Sequence, residues 1–223
     1  MTSPTILRDD QLERQTRLKI AFAESGIGSS TALHVLMATI YRHTPAWLAH
    51  GHRVATAAIK MGEELGLHHR ALGELECAAL VQNLGRLVLG DSRGADEWDL
   101  ADMRRAGEQV GIAADIAAAA PFLANTSLLV RASRECFDGS GFPARLAGDR
   151  IPLGARILHA AETVDSLNSL CATMGVGQEI TNIEAARCAG TRLDPQVVGA
   201  WLRCSEGPPR GILPGATAQE RHF

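Results

Sequence analysis

Apolar residues recur at helical spacing along nearly the whole chain, while the strand-like alternation of β-branched and polar residues is hard to find. An almost all-α protein is predicted. A first amphipathic segment covers residues 9–25, the run from Gly26 to Ser30 breaks it, and a second helix begins near Thr31. Pro45 opens a third helix, because its missing N–H costs nothing in a first turn, and this helix runs to Gly66. From Arg70 to Leu89 a broad apolar face carries Leu72, Leu75, Ala79, Leu80 and Leu84, which predicts one helix central to the core. Further helices are expected over 96–119, 125–135, 153–170, 183–190 and 195–204. Between them, Gly139, Gly141, Pro143 and Gly148 make 138–152 a loop, and residues 205–223 read as a mobile tail.

A length of 223 residues with 46% hydrophobic content is enough for a full core in one domain. The net charge of −3 provides no field toward nucleic acid or anionic membrane, so neither is an expected partner. No basic-then-apolar leader opens the chain, and no apolar run approaches the roughly 20 residues a bilayer requires, so a cytoplasmic protein is expected. The five cysteines are odd in number and include no CxxC pair, which reads as reduced core residues rather than a disulfide or zinc framework. Cys136 has no histidine near it in sequence to activate it and is read as a loop anchor. His50 and His52 face different sides of a helix, and His68 and His69 sit at a helix junction where capping is the common role.

The segment from Glu135 to Leu167 reads ECFDGSGFPARLAGDRIPLGARILHAAETVDSL. It resembles the signature of the HD-GYP family, metal-dependent phosphodiesterases acting on cyclic di-GMP, whose members carry HHERWDGSGYP, a short basic loop, IPLxARI and ADxFDAL. HGHRVATAAIKMGEELGL, ECAALVQNLGRLVLGD and LDPQVVGAWL are similar to three further family blocks in the same order. The resemblance implies an HD-domain-like helical bundle with an HD-GYP-type C-terminal extension over 45–204. Residues 1–44 match no sensory module and are expected to cap the bundle or mediate pairing.

The resemblance also implies where metal ligands belong, and this sequence departs from most of them. Ala46 stands at an early glutamate, and His50 keeps the histidine four residues later. Gln82 and Asn83 replace the name-giving His-Asp pair, Gly107 aligns with a further histidine, Ser133 and Arg134 replace two paired histidines, and Glu162 replaces an aspartate. Hard divalent cations need carboxylate or imidazole ligands in fixed geometry, and of these positions only His50 and Glu162 offer them. Arg134 either turns into the vacated position and pairs with Glu162 or points to solvent. The phosphate-gripping TSxRPYR stretch is also replaced, by Asn168 to Met174.

What survives is the loop Asp138, Gly139, Ser140, Gly141, Phe142 and Pro143, with Phe142 in place of tyrosine. It reads either as a structural plug or as an interaction loop, since the family's loop is associated with contacts to diguanylate cyclase (GGDEF) domains. The expected function is therefore a catalytically inactive regulatory or protein-binding module in bacterial cyclic di-GMP-related signalling, with no metal and no cofactor. Its expected partner is a GGDEF-domain or other signalling protein, and a homodimer stays open. Two alternatives stay open as well: an active metal-dependent phosphodiesterase or phosphohydrolase with an unorthodox site, and a nucleotide sensor that does not hydrolyse.

Overall fold

The computed structural model describes residues 7–26, 28–90 and 103–205, which form helices α1 (Asp9–Glu24), α2 (Ser30–Ile40), α3 (Pro45–Glu64), α4 (His69–Val81), α5 (Leu84–Leu89), α6 (Met103–Ala117), α7 (Ala124–Ala132), α8 (Leu153–Met174), α9 (Gln178–Arg187) and α10 (Pro195–Cys204). Two single-turn 3₁₀ segments, Pro121–Leu123 and Gly148–Arg150, lie between them. Among the described residues there is no strand, and one isolated bridge joins Ala189 to Leu193. None of these helices is long and apolar enough to cross a membrane.

Local chemistry sets the helix ends. The Ser29 side chain accepts the N–H of Ala32 at the start of α2, His68 accepts that of Ala71 at α4, and Asp194 accepts that of Gln196 ahead of Pro195 at α10. Each satisfies an N–H the helix itself leaves unpaired. At the other end, Gly90 and Gly175 stop α5 and α8 in the left-handed region, at φ 66° and 67°.

The helix expected over 70–89 is two helices, broken at Gln82 and Asn83. The reason is packing: Gly85 meets the backbone of α6 so closely that a Cβ on it would lie 1.9 Å from the Gln109 carbonyl oxygen. Apolar periodicity does not register that turn. α7 ends at Ala132, short of 135, because Glu135 is needed by the following loop, and α9 begins at Gln178 rather than 183. α8 runs on to Met174, past the expected 170. The start of the helix expected from 96, and residues 206–223 of the expected tail, lie outside the described residues.

One large hydrophobic core joins most of these helices, and a small second cluster holds Ala132, Ile151 and Ala155. α3 packs on α4, α8 and α10, while α6 packs on α5 and α7. α1 lies on α5 and α6, and α2 lies on α4, so Phe22, Leu33, Met37 and Tyr41 join the same buried cluster as Val54, Leu80, Ile157 and Trp201. The described part of residues 1–44, α1 and α2, thus adds helices to the core rather than a separate one.

The Gly85 contact is with backbone, which has nowhere to move. Gly85→Ala is expected to separate α5 from α6 and to lower stability by about 3 kcal/mol, the upper end of ordinary overpacking. Chemical denaturation measures this, and a variant within about 0.5 kcal/mol of wild type would show that the close approach is not needed.

Candidate functional site

Four segments bring polar side chains to one dry centre: α3, the end of α4, the residues after α7, and α8. His50 of α3 is 1% exposed, Gln82 2%, Glu162 4% and Asp165 5%, an environment in which an uncompensated charge is costly. Compensation is nearly complete. Arg134 Nη2 donates to Glu162 Oε1 at 2.7 Å, and Gln82 Nε2 donates to Glu162 Oε2 at 2.8 Å. His50 Nδ1 is 2.7 Å from Asp165 Oδ2, and Arg53 holds the same carboxylate with two bonds, Nε to Oδ1 at 2.8 Å and Nη2 to Oδ2 at 3.0 Å. His50 Nε2 also lies 3.2 Å from Glu162 Oε2, at an angle too poor for a hydrogen bond, so that contact is Coulombic.

These pairings set the protonation states. Burial alone would push the His50 imidazolium down, but the Glu162 charge and the bond to Asp165 override it and lift the pKa to about 9. Burial likewise opposes the Glu162 carboxylate, and Arg134 and His50 together hold it well below the usual carboxylate range. Asp165 is lowered against its own burial by His50 and Arg53. The centre is therefore a cluster of formal charges at neutral pH.

A neutral histidine sits beside it. Burial, then Arg134 and Arg192, push His159 down to about 3, and its Nδ1 donates to the Glu135 carbonyl at 2.9 Å. Not every polar atom here finds a protein partner: Gln82 Oε1, Asn83 Nδ2 and Arg134 Nε are buried without one.

The positions singled out in the sequence divide into two groups. His50, Gln82, Arg134 and Glu162 touch one another as described, and Arg134 takes the inward of its two expected orientations. Asn83 is buried next in the chain to Gln82. The others do other work. Ser133 turns back to donate to Val130 of its own helix at 2.8 Å, and Ala46 is exposed on α3. Gly107 makes room for the loop: a Cβ there would lie 2.9 Å from the Phe142 Cβ. Arg53 and Asp165 were not anticipated, although each follows a singled-out residue by three positions and so shares its helix face.

The loop 138–143 is fixed from several sides. Asp138 Oδ1 accepts the Ser140 N–H at 2.9 Å, Gly139 adopts φ 86°, and Gly141 approaches so closely that a Cβ would fall 2.1 Å from the Cys136 nitrogen. The Phe142 N–H is donated to the Arg134 carbonyl at 3.0 Å, and the half-buried ring lies under the Arg145 guanidinium at 5.6 Å. Glu135, whose pKa burial raises, accepts the N–H groups of Ala144 and Leu146 at 2.6 and 3.0 Å. Cys136 is buried beside this loop, with burial raising its thiol pKa, in keeping with an anchor. Outside the centre, His52 stacks on His34 with centroids 5.2 Å apart, and His68 is the α4 cap.

Comparison with known proteins follows this geometry. A family model described as an HD domain matches residues 34–197. The cyclic di-GMP phosphodiesterase response regulator RpfG of Xanthomonas campestris pv. campestris is 28% identical over 160 residues, which cover 68% of this chain and 41% of the regulator, so the chain spans less than half of that relative. Among solved structures, a cyclic GMP-AMP specific phosphodiesterase of V. cholerae gives a TM-score of 0.54 at 17% identity over 89% of this chain and 49% of that one. An HDG"Y"P protein of Bdellovibrio bacteriovorus, Bd1817, gives 0.60 at 16% identity over 88% of this chain and 70% of that one. At such identities the structures share the fold alone.

Removing the guanidinium leaves Glu162 buried with only His50 and an amide against it. Arg134→Ala is expected to cost about 3 kcal/mol, the low end for breaking a buried pair because His50 still compensates. The His50 contribution has a defined pH window: its folded pKa is raised, so the stabilisation is complete below about 6.5 and lost as pH rises through about 9. Denaturation midpoints of wild type should fall across that interval, by at most about 3 kcal/mol of stability, while His50→Gln should stay flat over it.

Proposed function

The chain belongs to the HD-domain family, and on that premise we propose that it is a non-catalytic, HD-GYP-like member acting as a regulatory or protein-binding module in cyclic-dinucleotide signalling. This reading is supported by a relative named a cyclic di-GMP phosphodiesterase response regulator, and a protein named a cyclic GMP-AMP specific phosphodiesterase shares the fold. The observation that carries the non-catalytic reading is the 2.7 Å contact of Arg134 with Glu162. A metal does not fit these residues. A divalent ion on Glu162 would have to displace a permanent cation, and the neighbouring positions hold Gln82 and Asn83, neutral amides with little affinity for it. Among the described residues no group of three or more His, Cys, Asp or Glu is disposed to hold a metal ion.

The loop Asp138–Pro143 is the proposed contact surface, for a GGDEF-domain or other signalling protein. Its support is rigidity joined to exposure. The turn is pinned from within, so little conformational entropy is lost on binding, while Asp138, Ser140 and Arg145 face solvent.

Purified protein is expected to carry well under one equivalent of iron, manganese, zinc or magnesium by elemental analysis and to leave cyclic di-GMP intact. Gln82→His combined with Asn83→Asp is expected not to restore hydrolysis, since Arg134 still covers Glu162. A tightly held two-metal centre with metal-dependent turnover reverses the reading in favour of an enzyme.

Two loop variants separate anchoring from binding. Phe142→Ala is expected to lower stability by about 2 kcal/mol, part of the cost of a fully buried ring. Ser140→Arg is expected to keep the wild-type melting temperature and to weaken capture of a GGDEF-domain protein. Unchanged capture by the Ser140 variant rules the loop out as the interface.

A further inference from the structure

A groove of ≈ 420 Å³ runs between α3 and α8, beside the buried centre and sharing Asp165 with it, with the Trp201 ring of α10 among its walls. We propose that this groove binds a small amphipathic anion, an apolar body ending in one carboxylate or phosphate group. Its size is that of a small-molecule site rather than of a surface dimple.

The lining specifies the ligand's two ends. Ala57, Val164 and Trp201 supply an apolar floor, and the Trp201 N–H is already donated to Asn182 Oδ1 at 2.9 Å, so the indole offers only its ring. The rim offers donors. Lys60 is exposed and has no ion-pair partner among the described residues. Asn168 accepts the Thr181 hydroxyl at Oδ1, 2.8 Å away, which fixes the amide and leaves its NH₂ without a partner among the described residues.

Charge completes the selection. The ionised side chains of the lining are Arg53, Lys60 and Asp165, and Asp165 is already held by Arg53 and His50. Among the described lining residues that leaves one net positive charge and no carboxylate without a partner, which favours an anion and disfavours a cation of the same shape. A purely apolar ligand would leave the Lys60 ammonium and the Asn168 amide facing a surface they cannot bond.

The groove shares Asp165 with the buried centre but includes neither Arg134 nor Glu162, and its test does not depend on metal content or hydrolysis. Three probes share one ring system and differ at its end: 1-naphthyl phosphate, 1-naphthaleneacetate and the neutral 1-naphthylmethanol. Isothermal titration and quenching of tryptophan fluorescence, with the full chain, measure each. Saturable binding of at least one anion is expected, about tenfold tighter than the alcohol, the ratio expected of one half-screened charge pair. Which anion binds better distinguishes a carboxylate ligand from a phosphate ester.

Lys60→Glu changes an exposed residue and should fold normally. It is expected to weaken both anions about tenfold or more and to leave the alcohol unchanged. Ala57→Phe fills the floor and is expected to abolish all three. The proposal is overturned if the alcohol binds as tightly as the anions, if Lys60→Glu leaves their affinity intact, or if no probe saturates.

Discussion

Two carboxylates buried on α8 set the terms for the rest of the molecule. Glu162 and Asp165 are both more than nine-tenths hidden from water, and a lone charge there would be far too costly to keep. At an effective dielectric of 20, a cation about 4 Å away contributes about 4 kcal/mol of attraction, so the cost is met by neighbours or not at all. The neighbours come from elsewhere in the sequence: His50 and Arg53 from α3, Gln82 from the end of α4, and Arg134 from the turn after α7. Neutralising α8 therefore fixes where three other segments must lie. The break between α4 and α5 is part of the same arrangement, since it puts Gln82 against Glu162.

On the proposed reading, covalently attached cations do here what a bound ion does in a metal-dependent relative. The two solutions differ thermodynamically. A bound metal stabilises in proportion to the logarithm of its free concentration and competes with protons for its ligands. A guanidinium is present at every concentration and every accessible pH, so its contribution is constant until the carboxylate itself is protonated. The imidazolium of His50 is the pH-dependent member of the set, and it titrates on the alkaline side of neutrality. A bundle built this way is expected to keep its shape across cellular metal levels, which suits a part used for contact more than one used for turnover.

Much of the fold was legible in the sequence because helices write themselves in periodic apolar positions. α3 and α10 start where Pro45 and Pro195 put them, whereas α8 overruns its expected end at 170 and stops at Gly175. The break after Val81 was not legible, because Gln82 and Asn83 are themselves buried and the apolar face continues through Leu84; the cause is Gly85 against α6, a contact between residues far apart in sequence. The site divides in the same way. Arg134 and Glu162 carry opposite charges at positions that a family resemblance brings together, so their pairing could be anticipated. Arg53 and Asp165 could not be ranked above any other surface-type charges on helices without knowing that Asp165 faces inward. Gly107 shows the limit from the other side: in the sequence it is a lost ligand, and in the structure it is the seat of Phe142.

The charged network also connects parts of the surface. Arg53 lines the groove and holds Asp165, Asp165 holds His50, His50 faces Glu162, and Glu162 holds Arg134, whose carbonyl accepts the Phe142 N–H of the loop. A continuous chain of contacts is not by itself a signalling route, because coupling requires an element with two arrangements of similar energy. Most of this chain lacks that property: its inner members are dry, and moving any one of them strands a buried charge. Arg53 differs. Its side chain is 45% exposed, and Asp165 keeps a second partner in His50 if Arg53 turns outward to an anion. The inner pairs thus behave as a brace that holds the loop in place, and the groove end is where the brace has room to yield.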